Sequence, residues 1–547
     1  MRSAFGLVAA AALLAAGGSF AGDRPVFTVG MVTDTHVRKE KSSCARVKAA
    51  FTLFREHKVD IVFHTGDLAH KYGFEAWRNW RETVEEIYPD AASRPRIVYA
   101  AAGHDHSGAP KGKTYDETCV SAYREMLKTV GADQELCAAI EFRGYAIIAV
   151  PEYGRNEKEI EGLLRDACAR HPDRPVFVLD HEPGLDTTTN SRLWGRPSAR
   201  ALYDRYPQVV HFSGHTHTAI RSERNIWQGG HTAVDLACMN TWTERQDGLR
   251  SKMTPESGAT LMEVYPDRLV FRRYDLLNGE EVRPDERWTV PLPFDPKTAP
   301  YREEARTARD TAPALTGCVK GVELPARAMQ AVFPAARHRH GIWRYECELQ
   351  RAETNGDWRT LARLRPLGDF HLPETKRAAE VSVPFTRGYF AEGGRYRFAV
   401  RAQAFTSLRS ETVHSEVFSL PPDPELKTLW SSDRVWNLLD QKRCSVEIPL
   451  PDDVNRLPKG TKLVLSADFL TQSALGNLMP IGTTGRKDEH YYAWSSPPEN
   501  AEIPLRVSFD FTKHADEERL ALVCTRGRCI SATATNLTVQ LVMPAEK

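Results

Sequence analysis

Residues 26–36 read VFTVGMVTDTH, an apolar run that ends on the polar triplet Asp34-Thr35-His36. The β-branched and aromatic residues of positions 26–32 predict a strand. Apolar residues then recur at helical spacing between Val47 and Phe54, and residues 60–64 form a second short apolar run. A strand, a helix and a further strand in this order predict a layered α/β fold.

The same alternation continues to about residue 277. We predict further strands over residues 96–102, 145–150, 175–180, 209–213, 232–237, 260–265 and 269–274. Helices are predicted around Trp77 and Trp80 and over residues 115–130, 156–169 and 198–206. We therefore assign residues 22–300 to one α/β domain.

The composition of the chain is that of an ordinary globular protein. At roughly 150 residues per domain, 547 residues predict three or four domains. Apolar residues make up 41% and charged residues 27%, which excludes disordered, collagen-like and coiled-coil classes. Lys and Arg number 73 and Asp and Glu 72, so no global charge recruits nucleic acid or an anionic membrane. No nucleic-acid partner is predicted.

The first 21 residues have the pattern of a cleaved signal peptide. A positive start, Met1-Arg2, precedes an apolar run from Ala4 to Ala16, and Ser19-Phe20-Ala21 is a small-x-small cleavage site. No later segment is long and apolar enough for a transmembrane anchor. Ten cysteines fit an oxidising compartment. The protein is thus predicted to be exported, as a periplasmic, cell-surface or secreted protein.

After a polar stretch between Pro296 and Pro313 the sequence becomes all-β. Residues 396–403 alternate apolar and polar side chains, and with Trp343-Arg344-Tyr345 upstream they resemble a fibronectin type III module, assigned with its linker to residues 301–422. Strand-like runs in residues 423–547 predict a second β-sandwich. Its aromatic residues Tyr491, Tyr492 and Trp494 belong either to its core or to a surface that stacks on sugar rings, so glycan contact is one hypothesis for this domain.

Side chains able to bind metals follow five of the predicted strands. They form the motifs Asp34-Thr35-His36, Gly66-Asp67, Gly103-His104-Asp105-His106, His181 with Pro183, and Gly214-His215-Thr216-His217. Ligands gather outside the carboxyl ends of strands in an open α/β sheet, so these motifs are expected to converge. Carboxylate and imidazole without thiolate suit Mn, Zn or Fe. Residues 152–155 follow another strand and are a further candidate for facing the cleft.

The order of these motifs resembles the calcineurin-like metallophosphoesterase family, over roughly residues 25–277. The resemblance implies a β-sandwich flanked by helices, two divalent metal ions and hydrolysis of a phosphomonoester or phosphodiester by a hydroxide held between the metals. Carried over, one metal is held by Asp34, His36, Asp67 and His217. Asp67 also bridges to a second metal, held by His181, His215 and the residue at the family's Asn position.

One motif departs from the family's Gly-Asn-His-Asp/Glu pattern and aligns in two ways. If its His-Asp pair is matched, His104 and Asp105 keep their places, Gly103 replaces the Asn ligand, and His104 lies near the phosphate or leaving group. If its glycine is matched, His104 takes the Asn position and binds the second metal, while Asp105 occupies the His place with His106 as a stand-in. His104, Asp105 and His106 are therefore candidate catalytic residues, and His104 also a candidate ligand.

The leading functional hypothesis is an exported dinuclear phosphoesterase that acts on a phosphate ester substrate. The alternative is an envelope binding or adhesion protein with a degenerate metallophosphoesterase domain. The altered motif at Gly103 and the large non-catalytic half of the chain motivate that alternative.

Overall fold

The computed structural model describes residues 24–244, 252–323, 329–385, 394–419, 426–437, 445–472, 478–483, 490–491, 505–513, 519–525 and 531–543. The predicted signal peptide, residues 1–21, lies outside the described residues. Among the residues described, no helix has the length and apolar character needed to cross a bilayer.

The N-terminal half alternates strands and helices. Its strands are β1 (Phe27–Val32), β2 (Ile61–His64), β3 (Arg96–Tyr99), β4 (Ala138–Phe142), β5 (Tyr145–Val150), β6 (Val176–Asp180), β7 (Val209–Ser213), β8 (Ile226–Gln228), β9 (Thr232–Asp235), β10 (Thr241–Glu244), β11 (Lys252–Pro255), β12 (Gly258–Val264), β13 (Arg268–Asp275), β14 (Glu280–Val282) and β15 (Trp288–Pro291). Its helices are α1 (Ala45–Glu56), α2 (Phe74–Ile87), α3 (Gly103–His106), α4 (Tyr115–Val130), α5 (Glu157–Arg170), α6 (Ser191–Trp194), α7 (Pro197–Tyr203) and α8 (Glu303–Arg309).

Two sheets stack face to face with helices outside them. One has the order β14-β13-β12-β1-β2-β3 with β15 beside β13, and the other has the order β4-β5-β6-β7-β9-β8. Alternate side chains of a strand face opposite sides of its sheet. Phe27 of β1 and Phe177 of β6 lie in the core between the sheets. Val32 packs beneath α1, α2 and α4, and Val178 packs beneath α5 and α7. The predicted helix-flanked β-sandwich is confirmed.

The predicted strand over residues 96–102 is too long. β3 ends at Tyr99, and the short helix α3 begins at Gly103, inside the Gly-His-Asp-His motif. The Asp105 carboxylate accepts the backbone N–H groups of Ala69 at 2.9 Å and Ala102 at 3.2 Å, which stabilises this helical turn.

Residues 301–309, assigned from the sequence to the linker, pack on the first domain. The Arg306 guanidinium donates to the Ile226 carbonyl at 2.8 Å, and the Tyr301 backbone N–H donates to the Gln228 side chain at 3.0 Å. These hydrogen bonds join residues that are far apart in the sequence. Hydrophobic periodicity therefore could not predict that residues 301–309 pack on the first domain.

The remainder of the described chain is all-β apart from α9 (Asp452–Asn455). The strands are β16 (Lys320–Glu323), β17 (Met329–Pro334), β18 (Arg344–Ala352), β19 (Trp358–Leu364), β20 (Glu380–Phe385), β21 (Arg395–Gln403), β22 (Val413–His414), β23 (Phe418–Ser419), β24 (Leu426–Ser432), β25 (Trp436–Asn437), β26 (Ser445–Pro449), β27 (Lys462–Gln472), β28 (Leu478–Thr483), β29 (His490–Tyr491), β30 (Leu505–Thr512), β31 (Arg519–Thr525) and β32 (Ser531–Val542).

These strands form two pairs of sheets. The sheets β16-β17-β20 and β19-β18-β21-β22, with β23 beside β21, enclose one apolar core. The sheets β24-β32-β27-β30, with β25 beside β32, and β26-β31-β28-β29 follow. Both pairs are consistent with the predicted sandwiches, and the likeness to fibronectin type III stays a prediction. Of the aromatic residues behind the glycan hypothesis, Tyr492 and Trp494 lie outside the described residues.

The oxidising compartment inferred from the cysteine count stays a prediction. Seven of the ten, Cys44, Cys119, Cys137, Cys168, Cys238, Cys318 and Cys347, are free thiols in the described part of the chain.

The hairpin β10–β11 joins the first domain to the all-β module that follows. Trp242 of β10 is fully buried and packs with Leu367, Phe370 and Phe405 of that module. At the start of β10 the Thr241 carbonyl accepts the Nδ1–H of His217 at 2.8 Å. The module therefore packs on the same strand that orients a predicted metal ligand.

We expect Trp242→Ala to lower the free energy of unfolding by about 3–5 kcal/mol, because it leaves a large cavity at this junction. Urea unfolding of the full chain measures the change. Met253→Ala is the matched control, since Met253 pairs with Thr243 in the same hairpin and is 65% exposed. A Trp242→Ala loss no larger than that of the control would contradict the packing described.

Candidate metal centre

The predicted ligands come together at the carboxyl ends of strands from both sheets. Asp34 and His36 follow β1, Asp67 follows β2, His104 follows β3, His181 follows β6, and His215 and His217 follow β7. Asp34, Asp67 and His181 are buried, and His104 is exposed.

Five of these residues have a left-handed backbone. They are Asp34 (φ 48°), His36 (φ 44°), Asp67 (φ 52°), His215 (φ 68°) and His217 (φ 46°), out of twelve such non-glycine residues in the part of the chain described. This conformation costs on the order of 1–3 kcal/mol per residue and persists where the surroundings fix it, most often at functional sites. The strain is concentrated where the sequence predicts chemistry.

One cluster of ligand atoms is formed by Asp34, His36 and His217. The Nε2 atoms of His36 and His217 are 3.0 Å apart, and Asp34 Oδ1 is 3.2 Å from His217 Nε2 and 3.7 Å from His36 Nε2. Asp67 Oδ2 lies 3.8 Å from His36 Nε2. Atoms bound to one ion at about 2.1 Å stand about 3.0–3.4 Å from each other, so this spacing fits a shared cation.

A second cluster, formed by Asp34, Asp67 and His181, shares Asp34 with the first. His181 Nε2 is 3.3 Å from Asp67 Oδ2 and 3.9 Å from Asp34 Oδ1. Both His181 Nε2 and Asp34 Oδ1 are buried without a hydrogen-bond partner. Buried polar atoms are almost always satisfied, so two unsatisfied atoms aimed at one spot fit a site built for a cation.

Backbone carbonyls orient two of the imidazoles. His181 donates its Nδ1–H to the Thr65 carbonyl at 2.9 Å, as His217 does to Thr241, and each ring keeps its Nε2 for the centre. Such outer contacts fix the tautomer of a metal-binding histidine. His215 is placed through its backbone N–H, which donates to Asp34 Oδ2 at 3.0 Å, and its ring lies 5.1 Å from that of His181.

The charges at the centre compensate one another. Burial alone would raise the pKa of Asp34 and Asp67, but His217 and His181 beside Asp34, and His181 beside Asp67, hold both pKa values below the usual range. Burial would likewise lower the pKa of His217, but the Asp34 charge raises it to about 9. The pKa of His181 is raised against burial by Asp67 and Asp34. Protonated imidazoles thus supply positive charge that a metal ion would also supply.

Two glycines allow the loops to approach this closely. Gly66 has φ 116°, and a Cβ there would stand 2.7 Å from His181 Nδ1. A Cβ on Gly214 would stand 2.3 Å from Asp34 Oδ2. The Gly-Asp and Gly-His pairs therefore keep glycine where a side chain would displace a predicted ligand.

The Gly-His-Asp-His motif is only partly directed at the centre. The His104 ring lies 4.6 Å from the His36 ring, and its Nδ1 is 2.8 Å from the His70 carbonyl. His36, His70 and His104 form a further group of nearby nitrogen atoms. His104 thus lies beside His36 and outside the cluster of His181. This placement favours the alignment in which Gly103 occupies the family's Asn position.

Asp105 and His106 differ from their predicted catalytic placement. Both oxygens of the fully buried Asp105 accept backbone N–H groups, and burial and the Asp67 charge raise its pKa to about 8. His106 Nε2 lies 2.9 Å from the Tyr115 hydroxyl and its Nδ1 lies 3.2 Å from the Tyr123 hydroxyl. Successive residues of a helical turn point in different directions, so adjacency in sequence does not bring all three side chains to the centre.

Two residues of the centre carry little or no sequence signal. Asp235, at the end of β9, accepts the hydroxyls of Thr216 at 2.7 Å and Thr218 at 2.9 Å and so fixes the His215–His217 loop. Glu152, after β5, is 2% exposed and accepts the Gly103 backbone N–H at 2.7 Å. Burial raises the pKa of Glu152 to about 7. Only its place after a strand marked Glu152 as a candidate.

His64 contacts the loops that carry Asp67 and His36. Its Nδ1 accepts the Gly66 backbone N–H at 3.2 Å, and its Nε2 lies 3.2 Å from the Thr35 hydroxyl. Burial lowers its pKa to about 3, so the ring is neutral at the centre.

We expect His64→Ala to weaken binding of Mn²⁺ by about 10- to 100-fold, as loss of such outer support does at metal sites.

Between pH 6.5 and 3 the unfolded chain takes up a proton at His64 that the folded chain excludes, so wild-type stability falls as the pH falls. Urea unfolding of the metal-free chain should therefore show a smaller difference in the free energy of unfolding between pH 7.5 and pH 5 in His64→Ala than in the wild type. Equal differences in the two proteins would contradict a neutral, buried His64.

Comparisons with known proteins give one family match. Residues 27–219 match the family model of calcineurin-like phosphoesterases. No curated protein matches the chain.

Several solved structures are similar to part of this chain. A dimetal phosphatase from Danio rerio is 12% identical, with a TM-score of 0.33, over 48% of this chain and 98% of that chain. GAP50, the anchor in the inner membrane complex of Plasmodium, is 11% identical, with a TM-score of 0.33, over 49% and 89%. A conserved uncharacterized protein of Streptococcus pneumoniae TIGR4, described as a predicted phosphoesterase, is 13% identical, with a TM-score of 0.23, over 48% and 97%.

The motif order, the helix-flanked double sheet and the family match agree. Residues 27–219 form a calcineurin-like phosphoesterase domain, which several all-β sheets follow in the chain.

Proposed function

We propose that this protein is an exported phosphoesterase that hydrolyses a phosphomonoester or phosphodiester with two divalent metal ions. The observation that carries the proposal is the pair of overlapping clusters around Asp34 and Asp67, in which buried ligand atoms face one another without hydrogen-bond partners. A protein without a cation there would leave these atoms unsatisfied.

The donor set fits such ions. Asp34, His36, Asp67 and His217 would hold one ion, and Asp67, His181 and His215 would hold the other, with the Asp67 carboxylate shared. Oxygen and imidazole donors suit Mn²⁺, Zn²⁺ or Fe²⁺. When bound, two such ions neutralise charge on the phosphoryl oxygens and lower the pKa of the attacking water.

The remaining residues would bind the substrate and handle protons. His104 is exposed in a pocket of about 800 Å³ that Asp67, His215 and His217 also line. With Nδ1 held by the His70 carbonyl, its Nε2 is available to hydrogen-bond the phosphate or to give a proton to the leaving oxygen. Lys111 and Lys113 lie on the pocket wall and would attract an anionic ester. The pocket has room for a substrate with a sizeable leaving group.

Metal-dependent turnover tests this proposal. The full chain is freed of metal with a chelator and assayed on aryl phosphomonoesters and phosphodiesters, with Mn²⁺, Zn²⁺ or Fe²⁺ added back. We expect chelation to abolish hydrolysis and one of these ions to restore it. Hydrolysis that ignores the chelator, or no hydrolysis with any ion, would contradict the proposal.

The altered motif at Gly103 favours a second candidate, a binding or adhesion protein with a degenerate phosphoesterase domain. In that case the full chain would bind glycans on an array and would hydrolyse no phosphate ester. An active enzyme without glycan binding would exclude it.

A further inference from the structure

The strand ends of the two sheets face each other in three pairs across the centre. After the ends of β1 and β7, Asp34 Oδ2 accepts the His215 backbone N–H at 3.0 Å. After the ends of β2 and β6, Asp67 Oδ2 lies 3.3 Å from His181 Nε2. After the ends of β3 and β5, the Gly103 backbone N–H donates to Glu152 Oε2 at 2.7 Å. The first two pairs consist of predicted ligands, and the third consists of a glycine and a buried carboxylate.

Glu152 is held beside Asp67. The Gly103 backbone N–H binds the Glu152 carboxylate, and the next one along, of His104, donates to Asp67 Oδ1 at 2.9 Å. Consecutive backbone nitrogens are only about 3–4 Å apart, so adjacent peptide groups anchor the two carboxylates. The Glu152 backbone is also fixed, because its N–H donates to the Ala101 carbonyl at 2.9 Å. Both acids line the same pocket.

The Glu152 carboxylate fills the space in front of Gly103. A Cβ built on Gly103 would lie 3.4 Å from Glu152 Oε2 and 3.5 Å from Oε1. A side chain starting at that Cβ would therefore reach into the volume that the Glu152 oxygens occupy. The family resemblance leads us to expect Asn at this position, with an amide oxygen as ligand. Gly103 has no side chain to supply one.

We propose that Glu152 is the ligand of the second metal ion in place of the missing side chain at position 103. This inference rests on the proposed function. It gives the second ion Asp67, His181, His215 and Glu152 as protein ligands, and a carboxylate stands where a neutral amide is expected. The added negative charge and hard oxygen donors favour ions such as Mn²⁺ over softer ones at this position.

Mn²⁺ binding to the metal-free full chain, measured by calorimetry, tests the assignment. We expect two sites in the wild type, and a loss of roughly 100-fold in affinity at one of them in Glu152→Ala and in Glu152→Leu. Leu keeps apolar bulk, so a loss shared by both variants comes from the ligand and not from a cavity. Glu157→Gln is the control, because Glu157 is an exposed carboxylate at the start of α5.

A rescue variant distinguishes two roles of Glu152: binding the metal ion, and accepting the Gly103 backbone N–H at the start of α3. Gly103 has no left-handed φ, so Asn is sterically acceptable there once Glu152 is shortened. We expect Glu152→Ala combined with Gly103→Asn to restore the second Mn²⁺ site. Two Mn²⁺ sites of unchanged affinity in Glu152→Ala and Glu152→Leu would overturn the assignment and leave the proposed function intact. The same conclusion would follow if Glu152→Ala lowered the melting temperature and the added Gly103→Asn failed to restore the second Mn²⁺ site. A wild type that binds no Mn²⁺ would overturn both.

Discussion

Asp67→Asn should lower kcat/KM for an aryl phosphate ester by on the order of 10³-fold or more. Asp67 lies between the two clusters, with Oδ2 3.8 Å from His36 Nε2 and 3.3 Å from His181 Nε2. An amide of the same shape keeps the packing but removes the anionic bridge that would hold two cations together. Steady-state assays with saturating Mn²⁺ measure the change.

The control for Asp67→Asn is the same substitution at a carboxylate far from the centre. Asp173→Asn changes an exposed carboxylate in the loop between α5 and β6 and should leave kcat/KM unaltered. If Asp67→Asn retained more than about a tenth of wild-type kcat/KM while folding normally, electrostatic stabilisation at Asp67 would not be the source of activity.

The affinity for each Mn²⁺ should rise by about 10-fold per pH unit between pH 6.5 and 8.5, and the product of the two binding constants by about 100-fold, because each ion displaces one proton. In the metal-free chain the Asp34 charge raises the pKa of His217 to about 9 against burial, and Asp67 raises the pKa of His181. Both rings are therefore protonated at neutral pH, and both must lose a proton before Nε2 can bind a cation. Calorimetry in buffers of different ionisation enthalpy should detect about two protons released per chain at pH 7.5.

The same shifts predict the stability of the metal-free chain. A histidine whose pKa is raised on folding stabilises the fold below its unfolded pKa of about 6.5, and this contribution is lost as the pH rises through about 9. The melting temperature without metal should therefore decline from pH 7 to pH 9.5. A binding constant and a melting temperature that are both flat over this range would contradict protonated His181 and His217.

Much of the centre could be predicted from sequence because its ligands follow strands directly. A polar residue after a buried apolar run marks the edge of a sheet, and five such edges were visible around Asp34, Asp67, His104, His181 and His215. The alternation of strands and helices could be predicted from periodicity, since Val47, Phe51 and Phe54 of α1 show helical spacing. The helix-flanked sandwich itself was implied by the resemblance to the calcineurin-like family.

The rest depends on contacts that leave no periodic signal. Thr241 acts through its backbone carbonyl, which every residue has, and Asp235 acts through two threonines in another loop. Glu152 meets Gly103 only because β5 and β3 end opposite each other across two sheets. The roles of Asp105 and His106 depend on the direction of side chains within α3, a helical turn that directly follows the predicted strand over residues 96–102.

Anomalous X-ray scattering from crystals of the full chain grown with Mn²⁺ tests the central claim most directly. Two peaks about 3.5–4 Å apart on either side of the Asp67 carboxylate are the result we predict. A map with no peak within reach of Asp34, Asp67 and His181 would contradict the dinuclear centre.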